Sequence, residues 1–112
     1  MIFENETSNL NVGQVFLNFK KETLLVGING DIDHHTAQGI REQIDESINS
    51  NLPKLVYIDL KNVSFMDSSG IGLIIGRFKL ITNLSGKLKV INIPERLQRM
   101  IKLSGLLKLG IF

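Results

Sequence analysis

Cysteine is missing from all 112 residues. That excludes a disulfide framework, cysteine-based zinc sites and any thiol nucleophile, and it fits a reducing, cytoplasmic setting. Apolar runs of the roughly 18 residues needed for a membrane span are missing as well. The longest candidate, around Ile71–Ile75, is cut by Gly76 and Arg77. The opening MIFENETSNL carries acids where a secretory signal needs positive charge. Neither export nor a membrane partner is therefore expected. Proline occurs only at positions 53 and 94, so two long helical patterns are free of it. Aromatic residues make up 6% of the chain, and none is interleaved with the bases in the way nucleobase stacking requires.

What is present is a soluble composition, 43% hydrophobic and 21% charged, on a length that suits one domain. The net charge of +2 hides an asymmetry. Residues 1–70 hold ten acids and five bases, whereas residues 71–112 hold eight bases and one acid. Those bases are spread over several elements, which reads as solvated faces rather than a nucleic-acid surface. No direct nucleic-acid partner is expected.

Residues 1–16 are polar and read as a loose arm or edge. QVFLNF (Gln14–Phe19) and TLLVGI (Thr23–Ile28) are β-rich runs joined by KKE, the pattern of a hairpin. Ala37, Ile40, Ile44 and Ile48 then recur at helical spacing, with Asp33 or Thr36 able to cap and Pro53 to terminate. LVYIDL (Leu55–Leu60) is a buried-strand pattern. Ile71, Ile74, Ile75, Phe78 and Ile81 form a second helical stripe, closed by Gly86. KLKVINI alternates as a strand, Pro94 opens a third helix, and LLKLGIF reads as a last short strand. The order ββαβαβαβ predicts an α/β fold: a mixed four- to five-stranded β-sheet with parallel crossovers, and helices packed on one side.

The chemistry concentrates in FMDSSGIG (Phe65–Gly72). Capping is one reading: Asp67, Ser68 or Ser69 satisfies free N–H groups at the start of the second helix. A nucleophile elbow is disfavoured, because Asp67 stands where G-x-S-x-G needs glycine. His34 and His35 are the only histidines available as a base, and no third metal ligand stands at useful spacing from them. Gly70, Gly72 and Gly76 resemble a dinucleotide loop, but the next strand holds no acid for a ribose. No enzyme activity, metal or cofactor is expected. A serine exposed at a helix N-terminus is also open to a kinase. Phosphorylation would add a charge of about −1.5 to −2 there, favoured by the helix dipole and opposed by Asp67 and by Asp33 if the sheet brings it near. Cap and kinase target are compatible.

Three pieces together resemble a known family: GDIDHHTA (Gly30–Ala37), DLKNVSFMDSSGIGLIIGRFK (Asp59–Lys79) and LSGLLKLGIF (Leu103–Phe112). The chain is similar over about Leu17–Phe112 to the bacterial anti-sigma factor antagonists of the STAS-domain family, most of all to its sporulation branch. The resemblance implies a STAS domain, 17–112, and leaves residues 1–16 as an N-terminal arm, about ten residues of which are extra to the family pattern. It implies a non-enzymatic binding protein, phosphorylated on Ser68 by an anti-sigma factor that is also an ATP-dependent serine kinase, and reset by a PP2C-type phosphatase. Unphosphorylated, such a protein docks on the anti-sigma factor and frees the sigma factor for transcription. Asp33, Met66, Asp67, Ser69 and Gly70 are implied as partner-binding residues around Ser68. Relatives usually continue into a final helix, so Leu107, Leu109 and Ile111 are expected to lie exposed, or under the arm or a second copy. A monomer or weak homodimer is expected.

Overall fold

The computed structural model describes residues 8–112. Strands β1 (Ser8–Val12), β2 (Val15–Lys20) and β3 (Thr23–Ile28) form an antiparallel meander. A bend leads to the short β4 (Gly30–Ile32) and then to helix α1 (Ala37–Asn51). Strands β5 (Leu55–Asp59) and β6 (Val63–Met66) follow, then helix α2 (Ser68–Asn83), β7 (Lys87–Ile91), α3 (Glu95–Ser104) and a 3-10 turn over Leu106–Leu109. The main sheet has the order β1-β2-β3-β5-β7, with β3, β5 and β7 parallel. It is the mixed five-stranded sheet expected, with helices on one side. β4 and β6 make a second, two-stranded parallel sheet that the expected order did not contain.

Alternation along the strands sets the core. Leu24, Val26 and Ile28 of β3 are buried, and across the register so are Val56 and Ile58 of β5 and Leu88 and Val90 of β7. These side chains share one face, because successive residues of a strand point to opposite faces. Ile40, Ile44 and Ile48 of α1 and Ile74 and Ile81 of α2 complete the same cluster. Burying one such side chain stabilises by about 1.5–3 kcal/mol.

The meander's two turns show how the hairpins register. Lys21 and Glu22 both have positive φ, the twist that a two-residue turn needs between right-twisted strands. Gly13 opens the other turn at φ +57°. Gln14 then ties the β3–β4 bend, its Nε2 donating to the carbonyls of Asn29 and Asp31, both at 2.8 Å.

Three expectations are narrowed or changed. Of the two readings of residues 8–16, loose arm or edge, the edge holds: β1, its turn and the start of β2 lie there, and β1 is the outermost strand, with Leu10 and Val12 paired to Leu17 and Val15. Residues 1–7 of the expected arm lie outside the described residues. LLKLGIF is not a strand but a 3-10 turn, set by Gly105 and Gly110 at positive φ. Its tail nevertheless reaches the sheet, where Val90 N–H donates to the Ile111 carbonyl at 2.7 Å. Of the three apolar residues expected exposed, Leu107 is, Leu109 is half-buried and Ile111 is 2% exposed.

Candidate functional site

β4 and β6 are short, but they decide the site. Their parallel register sets Ile32 beside Met66. The residues that follow, Asp33 and Asp67, therefore leave the sheet side by side, Asp67 straight into α2 and Asp33 into the turn that precedes α1. Asp67 N–H donates to the Ile32 carbonyl at 3.1 Å and locks the two turns together.

Asp67 is the cap of α2. Its backbone is extended, and its Oδ1 accepts from Ser69 N–H at 2.7 Å. Its carbonyl accepts from Gly70 N–H at 2.9 Å. Capping therefore falls to the aspartate and not to a serine. Ser68, the first helical residue, is exposed, and its hydroxyl has no hydrogen-bond partner among the described residues. Ser69 is half-buried and turned towards α1.

Gly70 explains the tightness of this turn. A Cβ there would stand 2.2 Å from Met66 Cγ and 2.7 Å from Met66 Sδ. Met66 is 1% exposed and Gly70 is buried, so both lie beneath the surface that Asp67 and Ser68 present. Val63 and Met66 are the buried ends of β6, and Ser64 and Phe65 between them are exposed. The pair shapes the loop from beneath.

The Asp33 turn is closed on itself. Oδ1 of Asp33 accepts from His35 N–H at 2.9 Å and from Thr36 N–H at 3.1 Å. The Thr36 hydroxyl accepts from Asp33 N–H at 3.0 Å and donates to the Asp31 carbonyl at 2.9 Å. Partial desolvation raises the Asp33 pKa, but the two N–H donors and nearby His35 outweigh it, so the carboxyl sits below its usual range. Asp33 thus stays anionic beside the serine loop. His34 and His35 stack at 4.0 Å between ring centres and are both exposed.

Two surfaces flank Ser68 and Ser69. On one side lies a cleft of about 470 Å³ between α1 and α2, lined by His34, Arg41, Ser69, Gly72, Gly76 and Arg77. Arg77 is 7% exposed and its Nε lies 2.7 Å from Asp45 Oδ1, an ion contact not aligned as a hydrogen bond. Burial pushes the Arg77 guanidinium down and the Asp45 carboxyl up, against their mutual attraction. On the other side Ser68 borders an open apolar surface made by Ile71, Met100 and Leu103, the last 76% exposed.

Sequence reasoning passes over three contributors. The pattern points Met100 inward on a helix over Glu95–Lys102 and leaves Leu103 beyond it, whereas α3 runs to Ser104 and sets both beside Ser68. Arg96 of α3 donates from Nε to the Ser64 carbonyl at 3.1 Å and from Nη2 to the Val63 carbonyl at 2.5 Å. It supplies donors to β6, the strand that carries Asp67. Nothing local in the sequence marks that role, since its acceptors lie more than thirty residues away.

Residues 15–112 match the family model described as the STAS domain. The chain is 38% identical over 96 residues to the anti-sigma F factor antagonist of Paenibacillus polymyxa, covering 86% of this chain and 82% of that protein. It is 38% identical over 81 residues to the anti-sigma-B factor antagonist of Bacillus subtilis, covering 72% of each. Its fold is similar to the solved structure of the anti-sigma factor antagonist SpoIIAA in its unphosphorylated form. The TM-score is 0.69 at 27% identity, over 89% of this chain and 81% of that one. It is also similar to a structure of the Bacillus cell fate determinant SpoIIAA in the phosphorylated form, at a TM-score of 0.62, over 89% of this chain and 84% of that one.

Proposed function

The chain belongs to the STAS domain family, and we propose that it acts as an anti-sigma factor antagonist switched by phosphorylation of Ser68. In this reading it has no catalytic role of its own and works in the cytoplasm. Among the described residues no helix is long and apolar enough to cross a membrane. Unphosphorylated, it docks on an anti-sigma factor through the turn that carries Asp33, Asp67, Ser68 and Ser69, and the sigma factor is released.

One observation carries the choice of Ser68. The turn around it is fully tied: Asp67 caps it, Ser69 and Gly70 donate into that cap, and Met66 supports it from below. Ser68 is the member left exposed, with a hydroxyl free to enter another protein's nucleotide site. The partner acts as a serine kinase. The Ser68 Oγ attacks the γ-phosphorus of ATP, the bond to the β-phosphate oxygen breaks, ADP leaves, and the hydroxyl proton passes to a base on the kinase. A PP2C-type phosphatase hydrolyses the ester and restores the hydroxyl.

The fold has little reason to respond. A phosphate at an α-helix N-terminus is favoured by about 0.3–1 kcal/mol, while Asp33 and Asp67 stand close enough to oppose it. The apolar surface beside Ser68 offers no cation to absorb the charge. The dianion therefore projects into the docking surface. A penalty of about 2.7 kcal/mol against a site already holding nucleotide phosphates weakens docking about a hundredfold.

The test is to incubate the protein with its anti-sigma kinase and ATP and to map the phosphate. Labelling confined to Ser68, and lost in Ser68→Ala, is the expected result. Equal labelling of Ser68→Ala would refute the site. A wild-type protein that binds the anti-sigma factor but is never labelled would instead be a constitutive binding module.

A further inference from the structure

The edge of the main sheet at β1 is an interaction surface, and we infer that its occupant is the β1 strand of a second copy of this chain, paired antiparallel about a twofold axis at Leu10. This goes beyond the switch and does not depend on it.

The backbone hydrogen bonds decide which groups are free. The Lys21–Glu22 turn makes Lys20 and Thr23 a hydrogen-bonded pair, as a two-residue hairpin does. Bonding alternates along β2, so Phe16, Asn18 and Lys20 bond to β3, and Val15, Leu17 and Phe19 bond to β1. The Gly13–Gln14 turn sets the same phase independently, because it makes Val12 and Val15 a bonded pair. Asn9 and Asn11 therefore direct N–H and C=O away from the sheet, where no described residue pairs with them.

Proteins commonly blunt such an edge with charge, proline, a bulge or a covering element. The opposite edge is treated so: the Ile111 carbonyl takes Val90 N–H, and Lys87 and Lys89 stand exposed on β7. SNLNV has none of these devices. It has no charged residue and no proline, and its register against β2 is unbroken.

Self-complementarity selects a copy over another partner. With Leu10 on the twofold, Asn9 of each protomer faces Asn11 of the other and exchanges N–H and C=O bonds. The two Leu10 side chains then form a non-bonded pair, the closer type, on the same face. Leu10 is 51% exposed, and it lines a groove of about 350 Å³ with Val12, Leu17 and Phe19 beside α1. The partner's Leu10 enters beside that groove. The strand Ser8–Val12 itself brings no charge, the groove's one charged lining residue among the described residues being Glu46 of α1, and the result is a continuous ten-stranded sheet with the helices on one side. Ser68 follows β6, in the separate β4–β6 pair, and does not line the β1 groove, so both serine loops stay open. A five-residue edge buries far less than a stable dimer needs, so association is weak and reversible.

Sedimentation over a rising concentration series tests this. A reversible monomer–dimer equilibrium is expected, weakened at least roughly tenfold by Leu10→Lys, which places like charges opposite each other. Asn11→Pro should do the same, because its N–H faces outward and the β1–β2 pairing does not use it. Circular dichroism checks that both variants fold. In the wild type, hydrogen exchange at the Asn9 and Asn11 amides should slow as the dimer fills. The dimer should persist in the Ser68→Asp variant. A protein monomeric throughout, a dimer indifferent to both variants, or amides that exchange alike in monomer and dimer would each overturn the proposal.

Discussion

Asp33 and Asp67 hold equivalent places. Each follows the last residue of a short parallel strand, each carboxylate accepts from backbone N–H groups that follow it, and each lies on the way from strand to helix. The outcomes differ. After Asp33 the chain spends three more residues in a turn before α1, and Thr36 closes that turn with its hydroxyl. After Asp67 the helix begins at once, and the first hydroxyl has nothing to bond among the described residues. One turn is a finished structural joint. The other is the same joint built tightly enough to leave a serine over. The signal for modification is thus not the carboxylate that ties the turn, which both turns have, but the hydroxyl that the turn does not consume.

The largest expected contrast is chemical. Ser68→Ala should lose phosphate incorporation by the cognate anti-sigma kinase, while Thr36→Ala should keep it, as read by phosphopeptide mapping. Comparable losses in both would end the distinction between open and closed turns.

Packing gives the next. Gly39 and Gly70 both lie in the first turn of a helix. A Cβ at Gly39 meets nothing within 4 Å, whereas at Gly70 it collides with Met66. Gly39→Ala should stabilise by about 0.5–1 kcal/mol through helix propensity. Gly70→Ala should cost about 1–3 kcal/mol by overpacking. Urea denaturation separates the signs, and Met66→Ala combined with Gly70→Ala should lose less than the sum of the two single losses, because the clash is removed.

Removing the carboxylates should cost less. Asp67→Ala is expected to lose about 0.5–2 kcal/mol in thermal or urea melts, and Asp33→Ala, which opens a turn ahead of α1 and removes no helix cap, should lower the melting point by less. Only Asp67→Ala should also slow labelling of Ser68 through loss of loop geometry. Asn at either position keeps an acceptor and should restore most of the stability.

The smallest effect is the pH response of Asp33. Its folded pKa is lowered from the unfolded 3.8, so its contribution is present above that value and fades as pH falls through the folded one. Urea midpoints measured between pH 5 and pH 3 should fall less in Asp33→Asn than in wild type. An identical fall would mean that the carboxylate's bonds to His35 and Thr36 contribute nothing.

Much of this molecule was legible in the chain. Apolar residues at a period of 3.6 mark α1 and α2, and those at a period of 2 mark β2, β3 and β7, because burying one face imposes that spacing. The FMDSSGIG stretch announced a cap and an available serine for the same local reason: the donors it satisfies lie two and three residues away. The β4–β6 pair was not legible. Three- and four-residue strands carry too few positions to show a period, and their partners lie more than thirty residues off.

The sequence by itself therefore determined the elements, the cap and the family resemblance, since each depends on neighbours along the chain. Only the tertiary structure decided that Met66 and Gly70 face inward, that Asp33 stands beside Asp67, that Arg96 supports β6 and that β1 leaves an open edge. Those are statements about which distant segments touch. Such contacts follow from the summed packing of the whole core, and no short window of residues contains it.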